Sequence, residues 1–143
     1  AYYEGSDGVK HHPIMIHRAI LGSLERFFAM MVEHFAGKFP LWLSPEQVRV
    51  LPIADRHNEF SNEIVSKLRM NGIRASVDDR PLTTNKKVRE AELAKVNYIL
   101  VIGDKELESC TVNVRTRENN VVGEKPLLNF TEELVREISE RRL

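Results

Sequence analysis

The spacing of apolar residues predicts a strand and a helix in the first part of the chain. Residues 14–21 are largely apolar on both alternating faces, which is typical of a strand covered on two sides. Gly22 interrupts this run. Ser23 is a favourable N-cap for the next segment, in which apolar residues recur at helical spacing until Gly37. We therefore predict a strand, a tight turn and a helix over residues 14–36.

An apolar segment with two prolines follows this helix. Residues 39–45 read Phe-Pro-Leu-Trp-Leu-Ser-Pro, a composition that breaks regular structure and still favours burial. We interpret this segment as a packed linker that separates residues 1–38 from a domain over residues 46–143.

Strand-like and helix-like patterns alternate through the rest of the chain. A continuous apolar run at residues 98–102 is typical of a buried parallel strand, whereas the alternation over residues 111–117 is typical of an antiparallel one. Strand–helix–strand units imply right-handed crossovers with helices on both sheet faces. The pattern predicts an α/β fold, a mixed five-stranded sheet flanked by helices. The strands are expected at 47–53, 73–77, 98–102, 111–117 and 121–122, and the helices at 58–71, 84–96 and 129 to about 142.

Several polar residues predict where elements begin or turn. Asn129 and Glu132 have the spacing of a capping box at the start of the last helix. Asp55 precedes a helix and is most simply its cap. Asn119-Asn120 is a turn signal, and Asp78 is expected in a surface turn.

Composition and charge narrow the possible classes of protein. Lys plus Arg and Asp plus Glu number 21 each, so the net charge is zero, which argues against a general nucleic-acid binder but allows a local basic patch. A single cysteine excludes an internal disulfide and a cysteine-built metal site. Residues 27–32 are too short an apolar run to span a bilayer, and residues 1–6 lack the features of a signal peptide. We expect a cytoplasmic protein that does not bind membranes.

Arg26 is the first candidate binding residue. It lies in the first turn of the predicted helix, where a positive side chain opposes the helix dipole at a cost of a few tenths of a kcal/mol. An anion held by the helix N-terminus and the guanidinium would offset that cost. An ion pair with Glu25 or another carboxylate is the alternative.

A polar strand face is the second candidate. The period of two places Asn113, Arg115 and Arg117 on one face of the strand over residues 111–117, with donors and acceptors suited to base edges and phosphates. Glu106 lies just upstream, in a predicted turn, and a carboxylate can accept hydrogen bonds from guanine N1 and N2. The alternative is a solvated outer strand face.

A group of basic residues near a predicted helix start is the third candidate. Arg80, Lys86, Lys87 and Arg89 could hold phosphates with the help of the helix N-terminus. A solvated basic helix end is the alternative.

The string His-Arg-Ala-Ile-Leu-Gly-Ser-Leu-Glu-Arg-Phe at residues 17–27 resembles motif 3 of class II aminoacyl-tRNA synthetases, and of the threonyl enzymes in particular. Residues 39–48, 85–90 and 101–106 also resemble that family. The resemblance covers essentially the whole chain. It implies the C-terminal end of a threonyl-tRNA synthetase, in which residues 1–38 are a strand–helix remnant of the catalytic domain and residues 46–143 bind the anticodon.

The resemblance implies catalytic roles for residues near motif 3. Arg26 matches the arginine that grips ATP, and Gly22 and Ser23 match the turn under the adenine. His17 matches one of three ligands of an active-site zinc ion; the other two, a cysteine and a histidine, would lie upstream of residue 1. ATP and zinc are therefore expected cofactors of the full-length enzyme, and neither is expected to bind the chain alone. A lone histidine packed in a protein core is the alternative for His17.

The resemblance also implies roles at the anticodon of threonine tRNA. Glu106 and Arg115 match residues that read the middle guanine and a neighbouring base. Arg80 and Lys86 fall at positions near the anticodon, and Asn113 shares the strand face of Arg115. The full-length enzyme is expected to be a homodimer.

Two other functions fit the pattern of elements. A non-enzymatic nucleic-acid-binding module could use the same domain type, and a small α/β ligand-binding domain would have its pocket at the carboxyl ends of the strands. The motif 3 string favours the synthetase over the binding module, and the ligand-binding domain is the weaker alternative.

The isolated chain is predicted not to activate threonine, because the motifs that complete the ATP site lie upstream of residue 1 in the family. We expect no threonine-dependent pyrophosphate exchange, measured against a complete threonyl-tRNA synthetase as the positive control. Detectable exchange by the chain would contradict the prediction.

Overall fold

The computed structural model describes residues 1–118 and 120–143. The predicted turn at Asn119-Asn120 includes a residue outside this part. The strands are β1 (Tyr3–Glu4), β2 (Lys10–His11), β3 (Val48–Pro52), β4 (Ala75–Val77), β5 (Tyr98–Ile102), β6 (Thr111–Thr116) and β7 (Val121–Pro126). The helices are α1 (Leu24–Phe35), α2 (Asn58–Met70), α3 (Thr84–Leu93), α4 (Asp104–Ser109) and α5 (Leu127–Ser139), with 3₁₀ turns at Leu41–Leu43 and Asp55–His57.

The last five strands form one mixed sheet in the order β4-β3-β5-β6-β7. β3 pairs in parallel with β4 and β5, and β6 pairs antiparallel with β5 and β7. The predicted mixed five-stranded α/β fold is therefore confirmed. β1 and β2 form a separate hairpin.

The sheet is covered unequally on its two faces. On one face, a large apolar cluster joins β3, β5 and β6 to α2 and α5 through residues such as Leu100, Leu68 and Phe130. On the other face, a smaller cluster of Leu51, Ile99 and Val101 packs with α3 and includes no β6 residue. The second face of β6 is thus left outside the apolar core.

The predicted strand over residues 14–21 is wrong. These residues take no regular structure, and Ile14 has 93% of its surface exposed. A strand needs a neighbour to satisfy its backbone hydrogen bonds, and no other segment in the described ranges pairs with this one. Alternation of apolar residues alone does not form a strand.

The predicted helix after Gly22 is confirmed as α1. The hydroxyl of Ser23 caps it by accepting from the Arg26 N–H at 3.2 Å. The helix ends where Ala36 and Gly37 both take left-handed backbone angles, with φ of 48° and 72°. No α1 residue is buried. The assignment of residues 1–38 to a catalytic domain, with a linker at 39–45, stays a prediction.

Several helix and strand boundaries differ from the pattern. α5 begins at Leu127 directly after Pro126, so Asn129 lies inside the helix and the predicted capping box is wrong. β7 extends to Pro126, far beyond the predicted residues 121–122, because it pairs along β6. α3 ends at Leu93, and Lys95 then turns the chain with φ of 58°.

The predicted cap at Asp55 is also wrong. Asp55 belongs to a 3₁₀ turn, and α2 begins after His57 without a side-chain cap. No helix in the described ranges is long and apolar enough to cross a membrane.

Leu68 and Leu93 give a matched test of the core. Leu68 is fully buried under the sheet, whereas Leu93 follows the apolar pattern of α3 but is 71% exposed. We expect Leu68→Ala to lower the free energy of unfolding by about 2–5 kcal/mol, and Leu93→Ala by less than about 0.5 kcal/mol. Urea unfolding monitored by circular dichroism measures both. Equal losses would contradict the packing described.

Candidate nucleic-acid interface

The carboxyl ends of the three parallel strands meet at one edge of the sheet. β4 ends beside Asp78, and β5 ends at Ile102, from which Gly103 leads directly into α4. α3 starts at this edge because its connection returns from the end of β4 to the start of β5. The topology therefore places the predicted residues Arg80, Lys86 and Glu106 at the same edge, the first two on the connection from β4 to β5 and Glu106 on the connection from β5 to β6.

Glu106 lies in helix α4 and not in the predicted turn. α4 was missed because a six-residue helix shows too little apolar periodicity to be recognised. The Glu106 side chain is buried and folds back so that Oε2 accepts from the Gly103 N–H at 2.9 Å. A Cβ atom at Gly103 would lie 3.1 Å from this Oε2, so glycine permits the close approach. One carboxylate oxygen is thereby fixed, and Oε1 remains an acceptor.

Asn113 and Arg115 lie on β6 opposite Val101 and Ile99 of β5. Because paired residues share a face, both polar side chains project from the face that the α3 cluster leaves uncovered at β6. Both are half-buried. The Asn113 Oδ1 atom is buried and has no hydrogen-bond partner among the described residues. The predicted polar strand face is present, and its role in binding stays a prediction.

Glu124 lies opposite Asn113 on the edge strand β7. Its carboxylate accepts from the Thr111 hydroxyl at 2.5 Å and from the Ser109 hydroxyl at 2.9 Å. These hydrogen bonds, that of Thr111 first, lower the pKa of Glu124 below its usual value. A second carboxylate thus borders the polar face of β6, which the sequence pattern did not reveal.

Arg80 is held by two carboxylates. Its guanidinium donates to Asp78 at 2.7 and 2.6 Å and to Glu90 at 2.6 Å. The hydrogen bonds from Arg80 are the main cause that lowers the pKa of Asp78, which is buried. The same pairs raise the pKa of Arg80. Arg80 would meet a phosphate as part of this triad, with most of its charge already compensated.

The two adjacent lysines of α3 differ in environment. Lys87 is only 4% exposed, and its Nζ donates to the Pro52 carbonyl at 3.2 Å, so it joins α3 to the end of β3. Lys86 is exposed, as is Arg89. Of the two lysines, Lys86 is therefore the one placed to meet a phosphate.

The residues assigned to catalysis by resemblance lie elsewhere. Gly22 makes a left-handed turn with φ of 67° before the Ser23 cap, and Arg26 is exposed in the first turn of α1. His17 is exposed in the irregular segment. Within the described residues, no three His, Cys, Asp or Glu side chains group closely enough to hold a metal ion. The structure does not bring these residues to the polar face of the sheet.

The fold and this edge define an α/β domain that presents polar side chains from strand ends and a strand face, as RNA-binding domains do. A family model described as "Anticodon binding domain" matches residues 47–137. The chain belongs to the anticodon-binding domain family, which confirms the family predicted from the sequence.

Two relatives and two solved structures are informative. The chain is 50% identical over 140 residues to a threonine–tRNA ligase of Carboxydothermus hydrogenoformans and 49% identical over 138 residues to that of Natranaerobius thermophilus. These matches cover 98% and 96% of this chain but only 22% of each relative, so the chain spans about a fifth of their length.

The RNA binding domain of threonyl-tRNA synthetase from Cryptosporidium parvum superposes with a TM-score of 0.76 at 37% identity. That match covers 85% of this chain and 30% of the other. A prolyl-tRNA synthetase of the same organism superposes with a TM-score of 0.56 at 24% identity, over 71% of this chain and 26% of that one, and shows the shared fold alone.

The Asp78–Arg80 pair predicts an acid-dependent contribution to stability. Because the pKa of folded Asp78 is lowered from 3.8, the pair stabilises the fold above that pH, and the contribution is lost as pH falls through the lower, folded-state pKa. We expect Asp78→Asn to be less stable than the wild type at pH 7, with a difference that shrinks below about pH 4.

Urea unfolding at several pH values measures this difference. Asp79→Asn, which changes the exposed neighbouring carboxylate, is the matched control. A difference for Asp78→Asn that stays constant down to pH 2 would contradict the assignment.

Proposed function

We propose that this chain binds the anticodon loop of threonine tRNA and recognises its middle guanine. The observation that carries the proposal is the buried Glu106 carboxylate of α4, just after β5, in which one oxygen accepts from the Gly103 N–H and the other can still accept. Membership in the anticodon-binding family and about 50% identity to threonine–tRNA ligases support the RNA and its amino-acid identity.

Glu106 is suited to guanine by its chemistry. A carboxylate accepts from the N1–H and N2–H groups of guanine, whereas adenine offers an acceptor at N1 and no amino group at C2. If the buried carboxylate faced adenine instead, it would be removed from water without gaining a hydrogen-bond donor from the base. An acceptor left without a donor in this way lowers the binding affinity. Discrimination by such a pair is worth about 1–3 kcal/mol.

Neighbouring residues complete the proposed interface. Arg115 and Asn113, on the uncovered face of β6, would bind a base next to the middle guanine, since both offer hydrogen-bond donors and Asn113 has an acceptor without a partner among the described residues. Lys86 would contact a phosphate near the start of α3. Arg80 would contact the anticodon loop through the donors that its two carboxylates leave available.

We propose that the whole protein is a threonine–tRNA ligase that acts as a homodimer in the cytoplasm. Arg26 would bind ATP together with the turn at Gly22 and Ser23; the exposed guanidinium beside a capped helix N-terminus fits an anion. His17 would be one zinc ligand. The described residues alone do not fit a zinc ion, because no three His, Cys, Asp or Glu side chains among them group closely enough to hold one. We therefore assign no step to zinc.

Glu106→Gln tests the guanine contact, and Glu108→Gln, an exposed position in the same helix, is its matched control. The probe is a threonine anticodon stem-loop RNA with guanine or adenine at the middle position. We expect the wild type and Glu108→Gln to bind the guanine RNA about tenfold or more tightly than the adenine RNA, and Glu106→Gln to lose most of this preference.

Fluorescence anisotropy at constant salt measures the affinities, since phosphate contacts make them depend on ionic strength. Equal binding of the two RNAs by the wild type would refute guanine recognition by this chain. An unchanged preference in Glu106→Gln would remove Glu106 from the interface.

Arg115→Ala tests the face of β6. We expect it to weaken binding of the guanine RNA by about fivefold or more. The reason is that a base facing the half-buried Arg115 side chain would lose the hydrogen bonds that the guanidinium donates. The exposed Arg89→Ala is compared in the same titration, and we expect it to weaken binding less than Arg115→Ala does. Full discrimination and affinity in Arg115→Ala would show that the β6 face does not read the anticodon.

A further inference from the structure

Helix α4 cannot hold its own position. It has six residues, well below the length at which an isolated helix is stable in water. The hydrogen bond between Glu106 and Gly103 fixes the carboxylate relative to the residue that follows β5, but it holds only the first turn of the helix. The placement of Glu106 therefore also depends on contacts that reach α4 from other elements.

Asp104, the first residue of α4, receives three such contacts from the connection between β3 and α2. Arg56 donates to it twice, from Nε at 2.8 Å and from Nη2 at 2.7 Å, in the bidentate geometry of the stronger ion pairs. His57 Nε2 lies 2.9 Å from the same carboxylate. These hydrogen bonds, those of Arg56 first, lower the pKa of Asp104 well below its usual value.

His57 is a rigid member of this group. Its side chain is 1% exposed, and its Nδ1 lies 3.2 Å from the Ala54 N–H, which must donate. Nδ1 therefore carries no proton, and we assign the ring proton to Nε2, which donates to Asp104. The backbone beside it is tied to β5, since the Ile53 N–H donates to the Ile102 carbonyl at 3.0 Å. Asp104 is thus anchored to a buried residue at the sheet edge.

We propose that Arg56, His57 and Asp104 act as positioning residues that hold α4 so that Glu106 meets the middle guanine. This inference rests on the proposed function. Asp104 and Glu106 are two residues apart on one short helix, so a shift at the first carboxylate moves the second. Neither Arg56 nor His57 needs to touch the RNA, and their effect is on specificity.

Asp104→Asn in the full chain tests this role with the same guanine and adenine stem-loop RNAs. The asparagine side chain has nearly the same size, but it lacks the negative charge to which Arg56 and His57 donate hydrogen bonds. We expect the preference for guanine to fall by about fivefold or more, while the affinity for the adenine RNA changes by less than about twofold. Unfolding of the domain alone would instead lower the affinity for both RNAs to the same extent.

Three further variants separate positioning from other causes. Arg56→Gln removes two of the three hydrogen bonds from an exposed side chain and should lower the preference without unfolding the domain, which keeps the test valid if Asp104→Asn folds poorly. The double variant Asp104→Asn/Glu106→Gln should lose no more preference than Glu106→Gln alone. Asp55→Asn, an exposed carboxylate in the same 3₁₀ turn, should leave the preference unchanged.

The results are read in order. If the wild type does not prefer guanine, or Glu106→Gln keeps the preference, the proposed function fails and this inference fails with it. If Glu106→Gln loses the preference while Asp104→Asn and Arg56→Gln keep it, only the positioning role is overturned. Additive losses in the double variant would also overturn it, because they would mean that Asp104 acts independently of Glu106.

Discussion

Burial of β5 on both faces is the constraint on which the rest of the domain depends. Leu100 and Ile102 pack against the α2 and α5 side, while Ile99 and Val101 pack against the α3 side. A strand covered on both faces cannot shift its register by one residue, since such a shift would exchange the two apolar sets. The position of Gly103, directly after β5, is fixed as a result. Glu106, Asn113 and Arg115 take their places from this strand, through α4 and through the pairing with β6.

Charge at the candidate interface is mostly compensated within the chain. Arg80 forms ion pairs with Asp78 and Glu90, and Asp104 forms an ion pair with Arg56. These pairs agree with a formal net charge of zero. A domain of this kind gains little from general attraction to phosphate, so its selectivity depends on where individual donors and acceptors are held. The contacts that fix Glu106 are therefore as important to the account as the carboxylate itself.

The parts of the fold with strong periodicity were predictable from the sequence. β5 appears where a continuous apolar run predicts it, β6 where apolar and polar residues alternate, and α2 where apolar residues recur at helical spacing. Each of these patterns reflects burial of apolar residues in the same sheet-based core. Residues 14–21 have a similar alternation without a strand partner in the described chain, so the same signal predicts a strand that does not form. α4 is too short to show a detectable periodicity. The ion pair that holds it joins Asp104 to Arg56, which lies 48 residues earlier in the sequence. The individual candidate residues were predictable, whereas their meeting at one edge and the ion pairs between them required the three-dimensional structure.

The most direct test of the central claim is to map the RNA-contacting surface without any substitution. Titration of the ¹⁵N-labelled chain with the guanine anticodon stem-loop, followed by amide chemical shifts, locates the surface residue by residue. The account predicts the largest changes at residues 103–106, where the Gly103 amide donates to Glu106, and along residues 113–115 of β6. Changes confined to α1 or α5, with residues 103–115 unaffected, would contradict it.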